Sequence, residues 1–567
     1  MNFSEMRFKK YKKIILLWSI ALFSVLAYSF KDDFFSITKQ LDIFSTLFKD
    51  LNLYYVDEVK PGDLMKTGID AMLKSLDPYT DYIPESDIED YRFMTTGQYG
   101  GMGATIRKSG EYVVVAEPYE GFPAFKNDLR AGDKIIEIDG KSIKGKNTDD
   151  VSKLLKGQPG TEVKLLIERI NTSEPILKTL KREEIKINAV PFYGMMENNI
   201  GYIQLNQFTE SASREVKAAF DDLSKQGELN GLVFDLRGNP GGLLYEAVNI
   251  SNFFIDKGED VVFTRGRVKD WDKTYKALNA PIAKDIPLVL MVNSGSASAS
   301  EIVSGTMQDL DRGVILGQRT YGKGLVQNTR SISYNSKLKL TTAKYYIPSG
   351  RCIQAINYSS RNEDGSVARI PDSLAKCFKT RKGRLVKDGG GIEPDVKTTA
   401  KKYAKITQSI SAKNLIFDYA TLFRIHHPTI EEASKFRLTD DNFKEFVDYV
   451  KDKDYQYTTK TENLLKEFKE IAEQEKYFEE AKSGYDLLSE KIAHYKKEDL
   501  FKYKEEICFL LEEEIVSRYY FQKGRIKNTL SKDKDLTMAI QLITDKEKYA
   551  KALGVTGYDA EPVIEKK

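Results

Sequence analysis

The chain has 567 residues, 41% hydrophobic and 30% charged, a mixture that excludes a disordered protein and a many-spanning membrane protein. At about 150 residues per domain it has room for roughly three or four domains. Lys and Arg number 87 against 84 for Asp and Glu, and a formal charge of +3 gives no electrostatic reason to expect a nucleic-acid partner. Three Cys, at 352, 377 and 508, exclude a disulfide framework and a cysteine-rich zinc site. At most one pair bridges, and Cys352 with Cys377 is the pair to test. The three His are His426, His427 and His494, all in the last quarter. A Ser-His-Asp triad built from the Gly-rich middle of the chain would have to import its base from far away.

In chain order, residues 1–13 carry Arg7, Lys9, Lys10, Lys12 and Lys13 against one Glu5, and an uncharged run follows from Ile14 to Phe30. As a helix this run is about 26 Å long, between a signal-peptide core and a spanning segment. Val25-Leu26-Ala27 and Ala27-Tyr28-Ser29 are weak cleavage sites, and no nearby Cys offers a lipid anchor. Basic residues before the run predict an exported, periplasmic protein tethered to the inner membrane by residues 14–30. Residues 31–91 read as helical. Phe34, Ile37 and Leu41, then Leu41, Phe44 and Phe48, share one stripe at helical spacing, and Pro78 breaks the pattern by forcing Asp77 out of helical geometry.

From about 92 to 184 the texture is β-rich, with strands over 111–115, 135–138 and 163–170, an Asp139-Gly140 turn signal and a capped helix over 148–155. Residues 185–398 alternate strands (199–205, 231–236, 287–292) with helices (212–223, 243 onward, 299 toward 310), which implies a layered α/β domain. From 399 to 567 Gly almost vanishes. Leu464, Phe468 and Ile471 share a helical face, as do Ile507, Leu511 and Ile515, so a helical domain is expected. His426-His427-Pro428 reads as a capped helix end, without the spaced ligands a metal site needs.

Three segments of the α/β region carry chemistry. The turn Asp235-Leu236-Arg237-Gly238-Asn239-Pro240-Gly241-Gly242 ends a strand before a helix. Its N–H groups suit a phosphate, an oxyanion, or nothing beyond a sharp turn, and no Gly-Lys-Ser/Thr follows to favour a nucleotide. Asn293-Ser294-Gly295-Ser296-Ala297-Ser298-Ala299-Ser300-Glu301 opens a helix. A Ser there sits in positive potential, yet Ser298-x-x-Glu301 equally fits a capping box, and composition does not choose among Ser294, Ser296, Ser298 and Ser300. In Tyr321-Gly322-Lys323-Gly324-Leu325-Val326-Gln327 a strand starting at Lys323 would point Lys323, Leu325 and Gln327 to one face. A buried lysine held neutral can take a proton from a Ser hydroxyl, which needs no histidine.

This ordered set, with Tyr346-Ile347-Pro348-Ser349-Gly350-Arg351 and Gly391-Ile392-Glu393-Pro394-Asp395 behind it, resembles the carboxyl-terminal processing peptidases, the tail-specific serine proteases, over roughly residues 35–397. The resemblance implies a multidomain α+β protein. It has a crotonase-like α/β serine peptidase core, an inserted PDZ domain, an N-terminal helical segment and a C-terminal helical domain. It implies Ser298 as nucleophile, Lys323 as general base and Gln327 holding the lysine. Backbone N–H groups of Gly241 and Ala299 would form the oxyanion hole, with Gly242 a less favoured substitute. It also implies Gly101-Met102-Gly103-Ala104 as the nest for a peptide carboxylate, in a module that shares Gly121-Phe122-Pro123-Ala124 and Leu129-Arg130-Ala131-Gly132-Asp133 with the family's PDZ domain. No cofactor or metal is expected. The expected partners are proteins with exposed or unfolded C-termini, and an adaptor or a second copy at the C-terminal helices. Two other readings are a PDZ scaffold that only holds peptides and an acyl-transfer or hydratase enzyme on small thioesters.

Overall fold

The computed structural model describes residues 34–358, 361–362 and 366–554, without the side chains of 493–497. The expected signal or anchor segment, residues 14–30, lies outside them. Among the described residues no helix is long and apolar enough to cross a membrane. The chain divides at residue 82 into two units. In the first, helices cover 34–54 and Pro61–Lys74, and the break expected at Asp77-Pro78 is an Asx turn in which Asp77 Oδ1 accepts from Tyr79 and Thr80 N–H, both at 2.8 Å. The apolar stripe of Phe34, Ile37, Leu41 and Phe44 is exposed.

The second unit opens with the helix Ile88–Thr96 and then the β-rich module. A short strand, Gln98–Gly101, leads through the loop at 101–104 into a five-strand path, β1 (Ala104–Ser109), β2 (Tyr112–Pro118), β3 (Lys134–Ile138), β4 (Glu162–Glu168) and β5 (Ile176–Lys181), paired in that order with β1 at an edge. The helix α1 (Thr148–Leu155) packs against β1. It starts where the sequence places it because Asn147 Oδ1 accepts from Asp150 N–H at 2.8 Å. Asp139 and Gly140 both take positive φ, the geometry of a two-residue hairpin turn.

The α/β region is built on a sheet ordered β6 (Phe192–Met196), β7 (Ile200–Gln204), β8 (Gly231–Asp235), β9 (Leu288–Val292), β10 (Val314–Gly317) and β13 (Val396–Lys397), parallel except for β6. The four central strands, β7 to β10, are buried on both faces, as a parallel sheet requires. Leu232 and Phe234 face α2 (Ala212–Gln226), α3 (Leu244–Ser251) and α4 (Ala299–Asp309), while Val233 and Met291 face the other way. A second sheet carries β11 (Leu325–Ser331) and β12 (Lys337–Tyr346) as an antiparallel pair.

The C-terminal helices include α5 (Leu415–His426), α6 (Lys504–Leu530, interrupted at Phe521) and α7 (Lys534–Thr544). Ile507, Leu511 and Ile515 are fully buried with Phe443 and Phe446, whereas the Leu464, Phe468 and Ile471 face is exposed. By its packing α7 joins the peptidase core rather than the helical cluster: Leu536, Ala539, Leu542 and Ile543 cover the open face of the parallel sheet. His427 closes α5, its ring stacked 3.9 Å from Phe423. All three cysteines are unbridged.

Candidate active site

The turn after β8 and the segment before α4 are laced together by buried polar groups. Asn239, fully buried, donates through Nδ2 to Leu205 O at 2.7 Å and accepts at Oδ1 from Gly241 N–H at 2.8 Å. Its own carbonyl accepts from Ala297 N–H and from Ser300 Oγ. Gly241 has φ +99°, and a Cβ there would stand 2.7 to 2.8 Å from Ala297 O, Ala299 N and Ser298 Cβ. Only glycine allows that approach.

This lacing separates the four serines that composition left open. Ser296 and Ser300 are buried and donate to the carbonyls of Leu236 and Asn239, and Ser294 lies in an exposed turn. Ser298 alone of the four lines a cleft of about 320 Å³, shared with Gly241, Gly242, Ala299, Lys323, Gln327 and Tyr345. Its backbone sits at φ 55°, ψ −111°, a sparsely populated conformation for a residue with a side chain, costing about 1–3 kcal/mol. The Tyr345 hydroxyl donates to Ser298 O at 3.1 Å.

Lys323, Leu325 and Gln327 line the same cleft. The strand begins at Leu325, after Lys323, and where its register shifts the extra residue, Thr342, lies on β12; Val326 lines the cleft as well. Gln327 Nε2 donates to Thr341 Oγ1 at 3.2 Å. The Gly241 N–H, one of the expected oxyanion donors, is engaged by Asn239 Oδ1.

The residue whose role sequence reasoning missed is Glu301. Read only as the end of a capping box, it accepts Ser298 N–H at 2.9 Å. It also accepts Gly322 N–H at 2.8 Å and Lys323 N–H at 2.9 Å, with the Thr320 hydroxyl as a fourth donor. Its carboxyl is wholly buried. Burial pushes its pKa up, against the pull of the donors from Thr320, Lys323, Gly322 and Ser298. One carboxylate thus fixes the backbone of Ser298 to that of Lys323. The signal was present in the acidic residue three positions after the serine, but its second set of partners lies 19 to 22 residues further on.

In the β-rich module the loop carbonyls of Met102 and Gly103 accept from Ala124 N–H at 2.7 Å and Tyr119 N–H at 2.8 Å. Across a trans peptide the carbonyl and the following N–H point opposite ways, so the N–H groups of Gly103 and Ala104 turn away from those contacts. Gly103 holds φ +74°, with Phe122 against it.

Family models match three parts of the chain: "Peptidase family S41" at 199–359, "PDZ domain" at 114–169, and "Probable PDZ-protease, C-terminal helical domain" at 406–543. A carboxy-terminal-processing protease of Bartonella bacilliformis is 38% identical over 56% of this chain and 73% of its own length. The chain belongs to the carboxy-terminal-processing proteases. A probable CtpA-like serine protease of Staphylococcus aureus is 36% identical over 59% of this chain and 67% of its own length. Among solved structures, the photosystem II D1 C-terminal processing protease is 29% identical over 63% of this chain and 92% of that one, with a TM-score of 0.34. The chain is a serine-type peptidase with an S41 core, a PDZ domain and a C-terminal helical domain.

Proposed function

We propose that this carboxy-terminal-processing protease is an exported endopeptidase of the cell envelope. It captures exposed C-termini at its PDZ domain and cleaves with Ser298 as nucleophile and Lys323 as base. The observation that carries the reading is the shared cleft in which Glu301 holds the backbones of both residues. Ser298 Oγ attacks the scissile carbonyl carbon as its proton passes to a neutral Lys323 Nζ. Gln327 positions that amine. The carbonyl oxygen, now negative, lies against the N–H groups of Ala299 and Gly241, the latter released from Asn239 as substrate binds. Collapse breaks the C–N bond, and Lys323 returns the proton to the leaving amine. A water then gives its proton to Lys323 while its oxygen attacks the ester, and Ser298 Oγ leaves and regains the proton.

Gly101, Met102, Gly103 and Ala104 would hold the tail carboxylate, as backbone amides do in this recognition mode. The basic flank and uncharged run of residues 1–30 support an inner-membrane tether facing the periplasm. The exposed face of Leu464, Phe468 and Ile471 offers a surface for an adaptor or a second copy. Digestion of an unfolded reporter tests the chemistry. Ser298→Ala and Lys323→Ala should each lower turnover by about a thousandfold or more, and blocking the reporter's C-terminus as an amide should slow the unmodified enzyme. Cleavage untouched by both substitutions would refute the assignment, and a chain that binds the reporter but never cuts it would be a scaffold.

A further inference from the structure

The PDZ edge that would receive a substrate tail is not free along its whole length. Among the described residues strand β1 pairs with β2 alone, and α1 packs against it, so an added strand would lie along the outer side of β1. The carbonyl of Lys108 points to that outer side, because it accepts a hydrogen bond at 2.9 Å from Asn414 Nδ2, in the C-terminal helical domain. Backbone groups alternate along a strand. The irregularity between β1 and β2 leaves Thr105 and Ile106 opposite Glu117 and Val115, with the extra residue, Ala116, on β2. The alternation of β1 is therefore unbroken, and Ala104, Ile106 and Lys108 all present their main-chain groups outward. Ala104 agrees, since its partner Pro118 has no N–H to give it.

A tail whose carboxylate sits on the N–H groups of the 101–104 loop would pair its last residue at Ala104 and its third from last at Ile106. The fifth from last would need Lys108, whose carbonyl Asn414 already occupies. Asn414 is not a loose surface group. It stands at the start of α5 with φ 60°. Three residues on, the Phe417 ring carries the guanidinium of Arg107 at 4.6 Å and that of Arg518 at 4.5 Å from its centroid, so the helical domain grips the same strand beside it.

Resting on the tail-capture reading above, we propose that Asn414 ends the peptide-binding edge at Lys108 and so is a specificity-determining residue. The PDZ domain of the assembled protein then reads roughly the last four residues of a substrate and is indifferent to the main chain before them.

The test uses the full chain carrying Ser298→Ala, so that ligand is not consumed, and acetylated peptides of four, six and eight residues ending in Ala-Val, each as free acid and as amide. Affinity should depend on the free carboxylate and should level off at four residues. Asn414→Gly keeps the left-handed backbone and removes the amide, and Asn414→Asp keeps the shape but withdraws the donor. In either variant the six-residue peptide should gain about fivefold over the four-residue one. Affinity that climbs from four to eight residues in the parent chain would overturn the inference while leaving tail capture standing. Variants that level off at four like the parent would overturn it too. Binding that ignores the carboxylate would overturn tail capture and this inference together.

Discussion

Glu301 shows how much of the site rests on one side chain. All its partners are donors, so a carboxylate satisfies every one of them and an amide cannot. In Glu301→Gln the side-chain NH2 must face a donor, and a buried group left unpaired costs about 1–3 kcal/mol. The variant should melt lower and lose at least about tenfold in turnover, measured by thermal denaturation and by hydrolysis of a fluorogenic peptide. Gly241 makes the complementary case by shape. A methyl group at Gly241→Ala meets Ala297 O, Ala299 N and Ser298 Cβ below 3 Å, so the turn must retreat from the serine. Turnover should fall about a hundredfold or more, as for loss of an oxyanion donor, with the far-ultraviolet spectrum unchanged.

At the scale of elements, signals that are local in sequence translate directly into structure. Asn147 caps α1, and the helix spans the residues from Thr148 to Leu155 that its pattern indicates. Asn147→Ala removes the cap at about 1 kcal/mol. Because α1 packs along the edge proposed to bind the tail, tail affinity should drop roughly fivefold while cleavage of a tailless peptide holds, a contrast readable from paired kinetic assays. Parallel strands are equally plain, since Gly231–Asp235 and Leu288–Val292 are short apolar runs between turn signals. What depends on pairing was not legible. The start of the strand at Leu325 rather than Lys323, and the extra residue Thr342 on β12, are set by how the two strands pair. The helical stripes were correctly spaced in Leu464, Phe468 and Ile471 as in Ile507, Leu511 and Ile515, yet only the second set is buried. Periodicity marks a face and does not say whether another element covers it. The choice of Ser298 among four serines likewise needed either the family pattern or the burial of its neighbours.

Across the whole molecule, the C-terminal helices touch both functional parts of the chain. Arg525 of α6 pairs with Glu117 of β2, and Phe521, where the helix breaks at φ 52°, meets Phe125 edge-on at 5.5 Å. Gly132 of the PDZ domain lies so close to Thr421 of α5 that a Cβ would stand 2.7 Å from its methyl group. A few residues past Arg525, Asp533 caps α7 through Oδ1 and accepts Arg237 Nη2 at Oδ2, 2.6 Å away. Arg237 belongs to the turn that carries Gly241, and it also pairs with the buried Asp235, itself bonded to the Tyr202 hydroxyl. The end of the chain thus braces the turn from behind the sheet, and α7 covers that face. Asp533→Ala removes the cap and one of the three carboxylates near Arg237, the third being Asp535 at 3.8 Å. The remaining bond to Asp235 keeps the guanidinium paired, so the loss is that of one charged hydrogen bond, about 1.5–3 kcal/mol. If the turn is positioned through Arg237, kcat should fall by about tenfold or more with KM nearly unchanged. Asp533→Asn, which keeps the cap oxygen, should recover part of it. A purely structural brace would instead lower the melting temperature in both variants and leave kcat per folded molecule intact, so kinetics beside a melting curve separates the two roles.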